Sequence, residues 1–305
     1  MTQFGHYPAP LFTIAHLSDP HLLSPGRLQY GAIDSEAHLR RTLDRLRLVT
    51  PTPDVLVFTG DLADLGEPEA YARLRALVEP LAADFGAQVV WTMGNHDERP
   101  AYSLALFGEA SDAAQDRVYD VEGLRIVALD TSVPGYHHGD LSTDQLAWLA
   151  DVLATPAGHG TILAMHHPPI PVPMCEVAVL MELRSQDRLA DVLAGTDVRA
   201  ILAGHFHFDS HSTFAGIPIT VASASCYTAD LAPGPDLLFA GVEANQSFSM
   251  VHVYDDRVVH TIVPVASGPI VTQTEMAMRA LAETIPVDEL RELASRKDSP
   301  LHVGE

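Results

Sequence analysis

The chain has 305 residues, of which 47% are hydrophobic and 19% charged, and this composition predicts a globular protein with a large buried core. Its 18 basic and 40 acidic residues give a net charge of −22 at pH 7, which disfavours binding to nucleic acid polymers and to anionic membranes. No apolar run approaches the roughly 20 residues of a membrane-spanning helix, and the first residues lack a secretion-signal pattern, so we expect a cytoplasmic protein without a transmembrane segment.

Strand and helix patterns alternate along the first two thirds of the chain. Short apolar runs bounded by turn residues indicate buried strands, and apolar residues three and four apart indicate helices. The predicted order is strand 11–18, helix 36–49, strand 54–59, helix 68–83, strand 88–93, hairpin 118–130, helix 143–153, strand 161–165, helix 184–193 and strand 198–203. Beyond them, alternating patterns predict antiparallel hairpins at 212–222 and 249–263, with a loop or lid at 228–246.

Polar motifs stand at the ends of five of these predicted strands. They are Asp19-Pro20-His21, Gly60-Asp61-Leu62-Ala63-Asp64, Gly94-Asn95-His96-Asp97, His166-His167-Pro168-Pro169 and Gly204-His205-Phe206-His207. Ligands gather outside the carboxyl ends of strands in α/β sheets, so we expect the five motifs to meet in one pocket. Carboxylate, amide and imidazole groups without thiolate suit Mn²⁺, Fe or Zn²⁺. The sequence therefore predicts two adjacent metal ions and a metal-dependent phosphoesterase.

The chain lacks the residues and motifs that other phosphate and cofactor chemistries require. Lys297 is its only lysine, so there is neither a GxxxxGK[ST] phosphate loop nor a core lysine for a Schiff base. The chain also has no GxSxG nucleophile elbow and no strand-associated GxGxxG. Cys175 and Cys226 are far apart and without CxxC spacing, which predicts buried thiols rather than a disulfide.

The five motifs, complete and in this order, resemble those of the calcineurin-like metallophosphoesterases over about residues 11–265. Residues 59–64, 129–135 and 166–171 are similar to the bacterial class III cyclic-nucleotide phosphodiesterases of the CpdA type. Both the strand pattern and the resemblance predict an α/β fold, a four-layer α/β/β/α sandwich of two mixed sheets flanked by helices. We expect an N-terminal extension (1–10), a metallophosphoesterase domain (11–266) and a partly helical C-terminal appendage (267–305).

The resemblance also implies a role for each polar residue of the motifs. Seven side chains would bind two ions in sets that share one member: Asp19, His21, Asp61 and His207, and Asp61, Asn95, His166 and His205. Asp61 would bridge ions roughly 3.5–4 Å apart, and a hydroxide shared between them would attack phosphorus. Asp64 would hold the ring of His96, and His96 would assist the leaving oxygen. His167 is expected to pack beside the ligands.

The implied reaction is hydrolysis of 3′,5′-cyclic nucleotides, cyclic AMP and also cyclic GMP, to 5′-nucleoside monophosphates. The predicted substrate contacts are Asn95, His96, His207 and His138, with His137 open as the alternative to His138. The resemblance implies a homodimer.

Two alternatives remain. One is another phosphodiesterase of the family, acting on glycerophosphodiesters or 2′,3′-cyclic nucleotides; a phosphoprotein phosphatase is disfavoured because Asp97 stands where those enzymes usually carry Glu. The other is a non-enzymatic scaffold, which is disfavoured because no ligand of the family's pattern is missing.

Overall fold

The computed structural model describes residues 7–274 and 276–299. The chain divides into a large compact unit, Leu11–Ala266, and a second unit formed by Met1–Pro10 and Ser267–Glu305. None of the described helices is both long and apolar enough to cross a membrane.

The described elements follow one another as β1 Phe12–Leu17, α1 Ser35–Leu46, β2 Val55–Thr59, α2 Pro68–Phe85, β3 Gln88–Thr92, α3 Arg99–Phe107, β4 Arg117–Val121, β5 Leu124–Leu129, α4 Thr143–Leu153, β6 Thr161–Met165, α5 Gln186–Leu193, β7 Val198–Ala203, β8 Ser210–Phe214, β9 Ile217–Val221, β10 Thr228–Asp230, β11 Ala240–Val242, β12 Ser247–Val253, β13 Val258–Pro264, α6 Met276–Ala282 and α7 Val287–Ser295. A 3-10 helix, Glu176–Met181, lies between β6 and α5.

The strands of the larger unit form two mixed sheets and a short hairpin. One sheet has the order β13-β12-β1-β2-β3, and the other has the order β4-β5-β6-β7-β9-β8. Parallel pairing joins β1 to β2 and β2 to β3 in the first sheet, and β5 to β6 and β6 to β7 in the second. The predicted fold class, two mixed sheets flanked by helices, is confirmed.

The alternating direction of side chains along each strand explains why the two sheets have one core between them and another on each outer face. On β1, Phe12 and Ile14 belong to a core that also contains Ile126 and Ile162 of the second sheet, so this core lies between the sheets. Their neighbours on β1, such as Leu17, pack in a different core with the helices α1 and α2. The equivalent outer core of the second sheet contains residues of α4 and α5. Because successive side chains of a strand point to opposite faces, each sheet is buried on both sides.

Local signals set most of the helix ends. α4 begins after a capping box in which Ser142 and Gln145 each accept a hydrogen bond from the other's main chain. α2 begins with Pro68 and ends at Gly86, whose φ of 69° suits the left-handed position that follows a helix. These residues explain why the predicted bounds of both helices lie within two residues of the observed ones.

The sequence patterns did not predict helix α3, the strands β10 and β11, or the 3-10 helix. Helix α3 follows the third motif directly, and its apolar residues are less concentrated on one face than those of α5. The segment 228–246, interpreted as a loop or lid, contains the hairpin of β10 and β11. Each of these strands has three residues, which is too short for an alternation pattern.

Candidate metal centre

The predicted ligands lie at the carboxyl ends of β1, β2, β3, β6 and β7, where the backbone turns sharply. Five of the seven adopt positive φ angles: Asp19 (51°), His21 (44°), Asp61 (49°), His205 (77°) and His207 (59°). Side chains other than glycine rarely take this conformation, which costs roughly 1–3 kcal/mol for each residue. Strain concentrated on these residues indicates that the fold maintains their orientation for function.

Close backbone packing brings these loops together. Gly94 lies so near the next loop that a Cβ there would overlap the backbone nitrogen and the carboxylate of Asp61. A Cβ at Gly204 would overlap Ser18 and lie 2.6 Å from Asp19 Oδ2. The two motif glycines therefore allow the ligand loops of both sheets to approach one another.

The first set of side chains converges on a small volume. His21 Nε2 lies 3.2 Å from His207 Nε2 and 3.4 Å from Asp61 Oδ2. Asp19 Oδ1 lies 3.4 Å from His207 Nε2, is buried, and has no hydrogen-bond donor in the described structure. A buried carboxylate oxygen without a donor is costly, and a cation would satisfy it.

The second set shares Asp61 with the first. His166 Nε2 lies 3.3 Å from Asp61 Oδ2, 3.1 Å from Asn95 Oδ1 and 3.2 Å from His205 Nδ1. Ligands bound at about 2.0–2.2 Å with tetrahedral or octahedral angles are separated by roughly 3–3.5 Å, which is the range of the distances given above. His21 Nε2 and Asp19 Oδ1 are slightly farther apart, at 3.9 Å. The residues therefore fit two metal ions that share the Asp61 carboxylate.

The histidine tautomers support this interpretation. Each of the four histidines uses one ring nitrogen to hydrogen-bond an oxygen behind it: His21 Nδ1 to Asp64 Oδ1, His166 Nδ1 to Thr59 O, His205 Nε2 to Met181 O and His207 Nδ1 to Tyr227 O. The other nitrogen of each ring faces the cluster, and it carries a lone pair when the ring is neutral. Metal-binding histidines are oriented by such a bond on the opposite nitrogen.

Burial and mutual attraction shift the pKa values in the cluster. Burial, reinforced by nearby His166, lowers the pKa of His205 to about 3, which keeps this imidazole neutral. Burial also opposes ionisation of Asp19, but the attraction of the nearby His207 and His166 outweighs it and lowers the pKa of Asp19 to about 2. Burial opposes protonation of His166 and His207 as well, but the neighbouring acidic groups outweigh it, raising the pKa of His166 to about 9 and that of His207 above its usual range. A cation that binds there displaces a proton from these two imidazoles.

The contact between Asp64 and His96 differs from the expected one. The Asp64 carboxylate lies 2.9 Å from His21 Nδ1, and it also accepts from Gln29 Nε2 at 2.9 Å. His96 Nδ1 is 2.9 Å from the main-chain oxygen of Asp64 but 3.8 Å from its carboxylate Oδ1. His96 is therefore held by the main chain of Asp64, which leaves its Nε2 free, while the carboxylate orients His21.

Of the two adjacent loop histidines, the structure places His137 rather than His138 at the centre. His137 Nδ1 is 2.9 Å from Asn95 Nδ2, and its ring lies 5.2 Å from that of His96. His138, predicted as a substrate contact, packs on Tyr136 and does not line the cavity over the centre. Consecutive side chains of this loop point in different directions, which composition alone does not predict.

Asp97 joins two of the ligand loops by hydrogen bonds, a role that was not predicted. Its carboxylate accepts from the backbone nitrogens of Leu62, Ala63 and Gly94 at 2.9–3.1 Å and from the hydroxyl of Tyr71 at 2.9 Å. These bonds tie the loop that carries Asp61 to the loop that carries Asn95. The sequence offered only the acidic residue at the end of the third motif as a signal.

A cavity of about 420 Å³ opens over the centre. Asn95, His96 and His207, three of the predicted substrate contacts, line it together with His137. Its outer part is aromatic and aliphatic, formed by the 3-10 helix and by Tyr30, Phe206, Phe208, Tyr227 and Phe239. A polar, cation-binding floor beneath apolar walls suits a phosphate ester that carries an aromatic group.

Comparison with known proteins supports the interpretation of the site as that of a metal-dependent phosphoesterase. Residues 12–209 match the family model of the calcineurin-like phosphoesterases. The cAMP/cGMP dual specificity phosphodiesterase of Mycobacterium tuberculosis (strain CDC 1551 / Oshkosh) is 51% identical over 284 residues, which cover 92% of this chain and 89% of that protein. The 3′,5′-cyclic adenosine monophosphate phosphodiesterase CpdA of Pseudomonas aeruginosa is 30% identical over 222 residues, covering 72% of this chain and 78% of that one.

A solved dimetal phosphatase of Danio rerio covers 84% of this chain and 97% of its own length at 17% identity, with a TM-score of 0.60, which supports the fold. The resemblance predicted from the five motifs is confirmed, and the chain belongs to the calcineurin-like phosphoesterase family.

Proposed function

We propose that this protein hydrolyses 3′,5′-cyclic nucleotides, cyclic AMP and cyclic GMP, to 5′-nucleoside monophosphates. The observation that carries the proposal is the pair of ligand sets joined at Asp61 Oδ2, which lies 3.4 Å from His21 Nε2 and 3.3 Å from His166 Nε2 beneath an aromatic cavity. The names of the relatives from Mycobacterium tuberculosis and Pseudomonas aeruginosa support the choice of substrate.

In this proposal, Asp19, His21, Asp61 and His207 hold one ion, and Asp61, Asn95, His166 and His205 hold the other. Bound there, the ions would supply Lewis-acid activation of the phosphoryl group and a nucleophile near neutral pH. The oxygen and nitrogen donors suit Mn²⁺ and Fe, with Zn²⁺ as a third option. Asn95 adds no negative charge, so the centre keeps more of its attraction for the phosphodiester.

His96 acts as the general acid. Its Nδ1 donates to the main-chain oxygen of Asp64, so the proton that it can deliver resides on Nε2, at the wall of the cavity. Water adds to phosphorus, the bond between phosphorus and the 3′ oxygen breaks, and His96 protonates that departing oxygen. His137, hydrogen-bonded to Asn95, adds a second imidazole beside the phosphate. The phosphate stays on the 5′ oxygen.

Three further features belong to the proposal. Residues 11–266 form the catalytic domain, and the large compact unit with these bounds supports this assignment. The other two are a homodimer, which the resemblance implies, and a cytoplasmic location. Light scattering and cell fractionation test the last two.

A substrate panel tests the function. Metal-stripped and Mn²⁺-reloaded protein is assayed with 3′,5′-cyclic AMP, 3′,5′-cyclic GMP, 2′,3′-cyclic AMP, a glycerophosphodiester and an aryl phosphomonoester. We expect metal-dependent cleavage of the 3′,5′-cyclic nucleotides. Activity that survives metal removal would contradict the mechanism, and preference for the glycerophosphodiester or the 2′,3′-cyclic nucleotide would establish the alternative substrate.

Substitution of His96 tests the general acid. His96→Ala should lower kcat for cyclic AMP by about 10²–10⁴-fold with the metal content unchanged. His159→Ala is the matched control, because His159 packs on Phe12 at the opposite end of β1. An unchanged kcat in His96→Ala would remove His96 from the mechanism.

A further inference from the structure

The outer part of the cavity has little capacity to recognise a ligand by hydrogen bonds. None of the described residues that line it is Arg, Lys, Glu or Gln, and its polar groups beyond the metal centre are the hydroxyls of Tyr30 and Tyr227 and the thiol of Cys175. Flat aromatic surfaces are abundant there instead. Such a wall stacks on the face of a ligand's ring and makes no hydrogen bonds to the ring's edge.

Of the two aromatic wall residues that lie against the metal centre, Phe206 contacts His205 and stacks on Phe208, and Tyr227 contacts His207. The ring centroid of Tyr227 is 4.5 Å from that of His207, and the main-chain oxygen of Tyr227 accepts a hydrogen bond from His207 Nδ1 at 3.1 Å. A single imidazole therefore separates the Tyr227 ring from the ligand atoms. A ribose provides a comparable separation between a phosphate and a base.

The structure holds the Tyr227 ring in place from behind. The preceding carbonyl, of Cys226, is hydrogen-bonded by His38 of α1 and by Gln246 Nε2 at 3.2 Å. The ring packs directly on Gly241 of β11, where a Cβ would lie 2.8 Å from two ring carbons. Even an alanine at position 241 would push the ring out of its position.

Tyr30 fixes the outer edge of the same ring. The two rings meet edge to face with centroids 5.7 Å apart, and their hydroxyls are 3.4 Å apart. Tyr30 is 76% exposed and has a φ of 51°, an unfavourable conformation for a large side chain on a surface loop. A strained, exposed tyrosine that contacts a cavity wall points to a role in the cavity rather than in folding.

We propose that Tyr227, buttressed by Tyr30 and seated on Gly241, is the platform on which the nucleobase of the substrate stacks. The base is recognised by its ring face, so adenine, guanine and the pyrimidines are all accepted. The inference rests on the proposed function for the identity of the ligand, and it adds the residue that binds the base and the reason why the base is not discriminated.

Calorimetric titration of the Mn²⁺-loaded protein tests the platform without relying on turnover. The probes are 5′-AMP and ribose 5-phosphate, which differ by the base. Since stacking on one aromatic side chain strengthens binding by roughly 5- to 150-fold, the wild type should bind 5′-AMP at least about 10-fold more tightly than ribose 5-phosphate. 5′-GMP and 5′-CMP should bind within about 10-fold of 5′-AMP.

Four variants test which residues produce the preference for 5′-AMP over ribose 5-phosphate. Tyr227→Ala and Gly241→Ala should reduce the preference for 5′-AMP over ribose 5-phosphate to less than about threefold, with metal content unchanged, because both remove the stacking surface. Tyr227→Phe should retain the preference. Tyr136→Ala is the control, since that exposed ring packs on His138 outside the cavity.

Two outcomes would overturn the inference: a preference for 5′-AMP that persists in Tyr227→Ala, or a difference of more than about 100-fold between 5′-AMP and 5′-GMP, which would require hydrogen-bond reading of the base. Failure of the proposed function is a separate result, namely no cleavage of cyclic AMP by the metal-loaded wild type. The binding ratio and the turnover are measured independently, so each failure is identified by itself.

Discussion

Replacing Asp97 by asparagine isolates the contribution of one buried carboxylate to the metal centre. Asp97 is 5% exposed; its Oδ1 accepts from Ala63 N and Tyr71 Oη, and its Oδ2 accepts from Leu62 N and Gly94 N. Asparagine has the same shape, but its amide nitrogen donates. Whichever way the amide is turned, two of the four buried donors lose their acceptor.

The expected cost follows from those two donors. An unsatisfied buried donor costs about 1–3 kcal/mol, so Asp97→Asn should destabilise the metal-free protein by about 2–6 kcal/mol. Asp97→Ala leaves all four donors without an acceptor and should cost more, up to roughly twice as much. The affinity for metal should also fall, because the bonds to Ala63 and Gly94 position the loops of Asp61 and Asn95.

Urea unfolding followed by tryptophan fluorescence measures the free energy of unfolding of these variants at about pH 9, because burial raises the pKa of Asp97 to about 7 and it is the ionised carboxylate that accepts all four bonds. Asp120→Asn is the control: Asp120 is exposed and accepts one bond, from Gly123 N at 3.3 Å, so its replacement should change stability by less than about 0.5 kcal/mol. A loss of less than about 1 kcal/mol in Asp97→Asn would refute the reasoning. A loss in Asp97→Asn equal to that in Asp97→Ala would show that the count of donors does not set the cost.

Two further predictions concern the metal centre, and a third concerns the carboxyl of Asp116. Asp61→Ala should bind neither ion, whereas Asn95→Ala should lose one of two, as measured by elemental analysis after gel filtration; equal loss in both variants would contradict a shared carboxylate. Gly94→Ala should abolish metal binding, because its Cβ would overlap backbone atoms, while Gly268→Ala, with open space around it, should behave as wild type. Burial raises the pKa of Asp116 from 3.8 to about 6, so the stability that its protonated carboxyl contributes is lost as the pH rises through about 6. Asp116→Asn should therefore gain roughly 2 kcal/mol over the wild type between about pH 4 and about pH 8 in urea unfolding, and no gain would show that this carboxyl ionises normally.

The elements that the sequence predicted well are those with strong local signals. Helix α4 and the strands β6 and β7 have their predicted bounds, because each combines an apolar pattern with clear start and stop residues. The hairpin of β10 and β11 gave no such signal, although it supports Tyr227. Its strands are stabilised by pairing with each other rather than by a local period.

The metal centre also combines features that the sequence predicted with features that it did not. The five motifs predicted which residue types meet, since strand ends of a parallel sheet share one edge. They did not predict that the Asp64 carboxylate would contact His21, that His137 would replace His138 at the cavity, or that Asp97 would accept four hydrogen bonds. Each of these depends on the direction of a side chain in a loop, which contacts from distant loops determine.

The family, the layered fold and the set of metal-binding residue types were predictable from the amino-acid sequence, because they follow from periodicity and from motifs of a few adjacent residues. The folded structure was needed to assign the tautomers of the four histidines and to place His96 on the main chain of Asp64. It was also needed to identify the aromatic wall of Tyr30 and Tyr227, which are 197 positions apart in the chain. The physical reason is that local patterns encode burial and backbone conformation, whereas hydrogen-bond partners and ring contacts between distant segments exist only after the two sheets have packed.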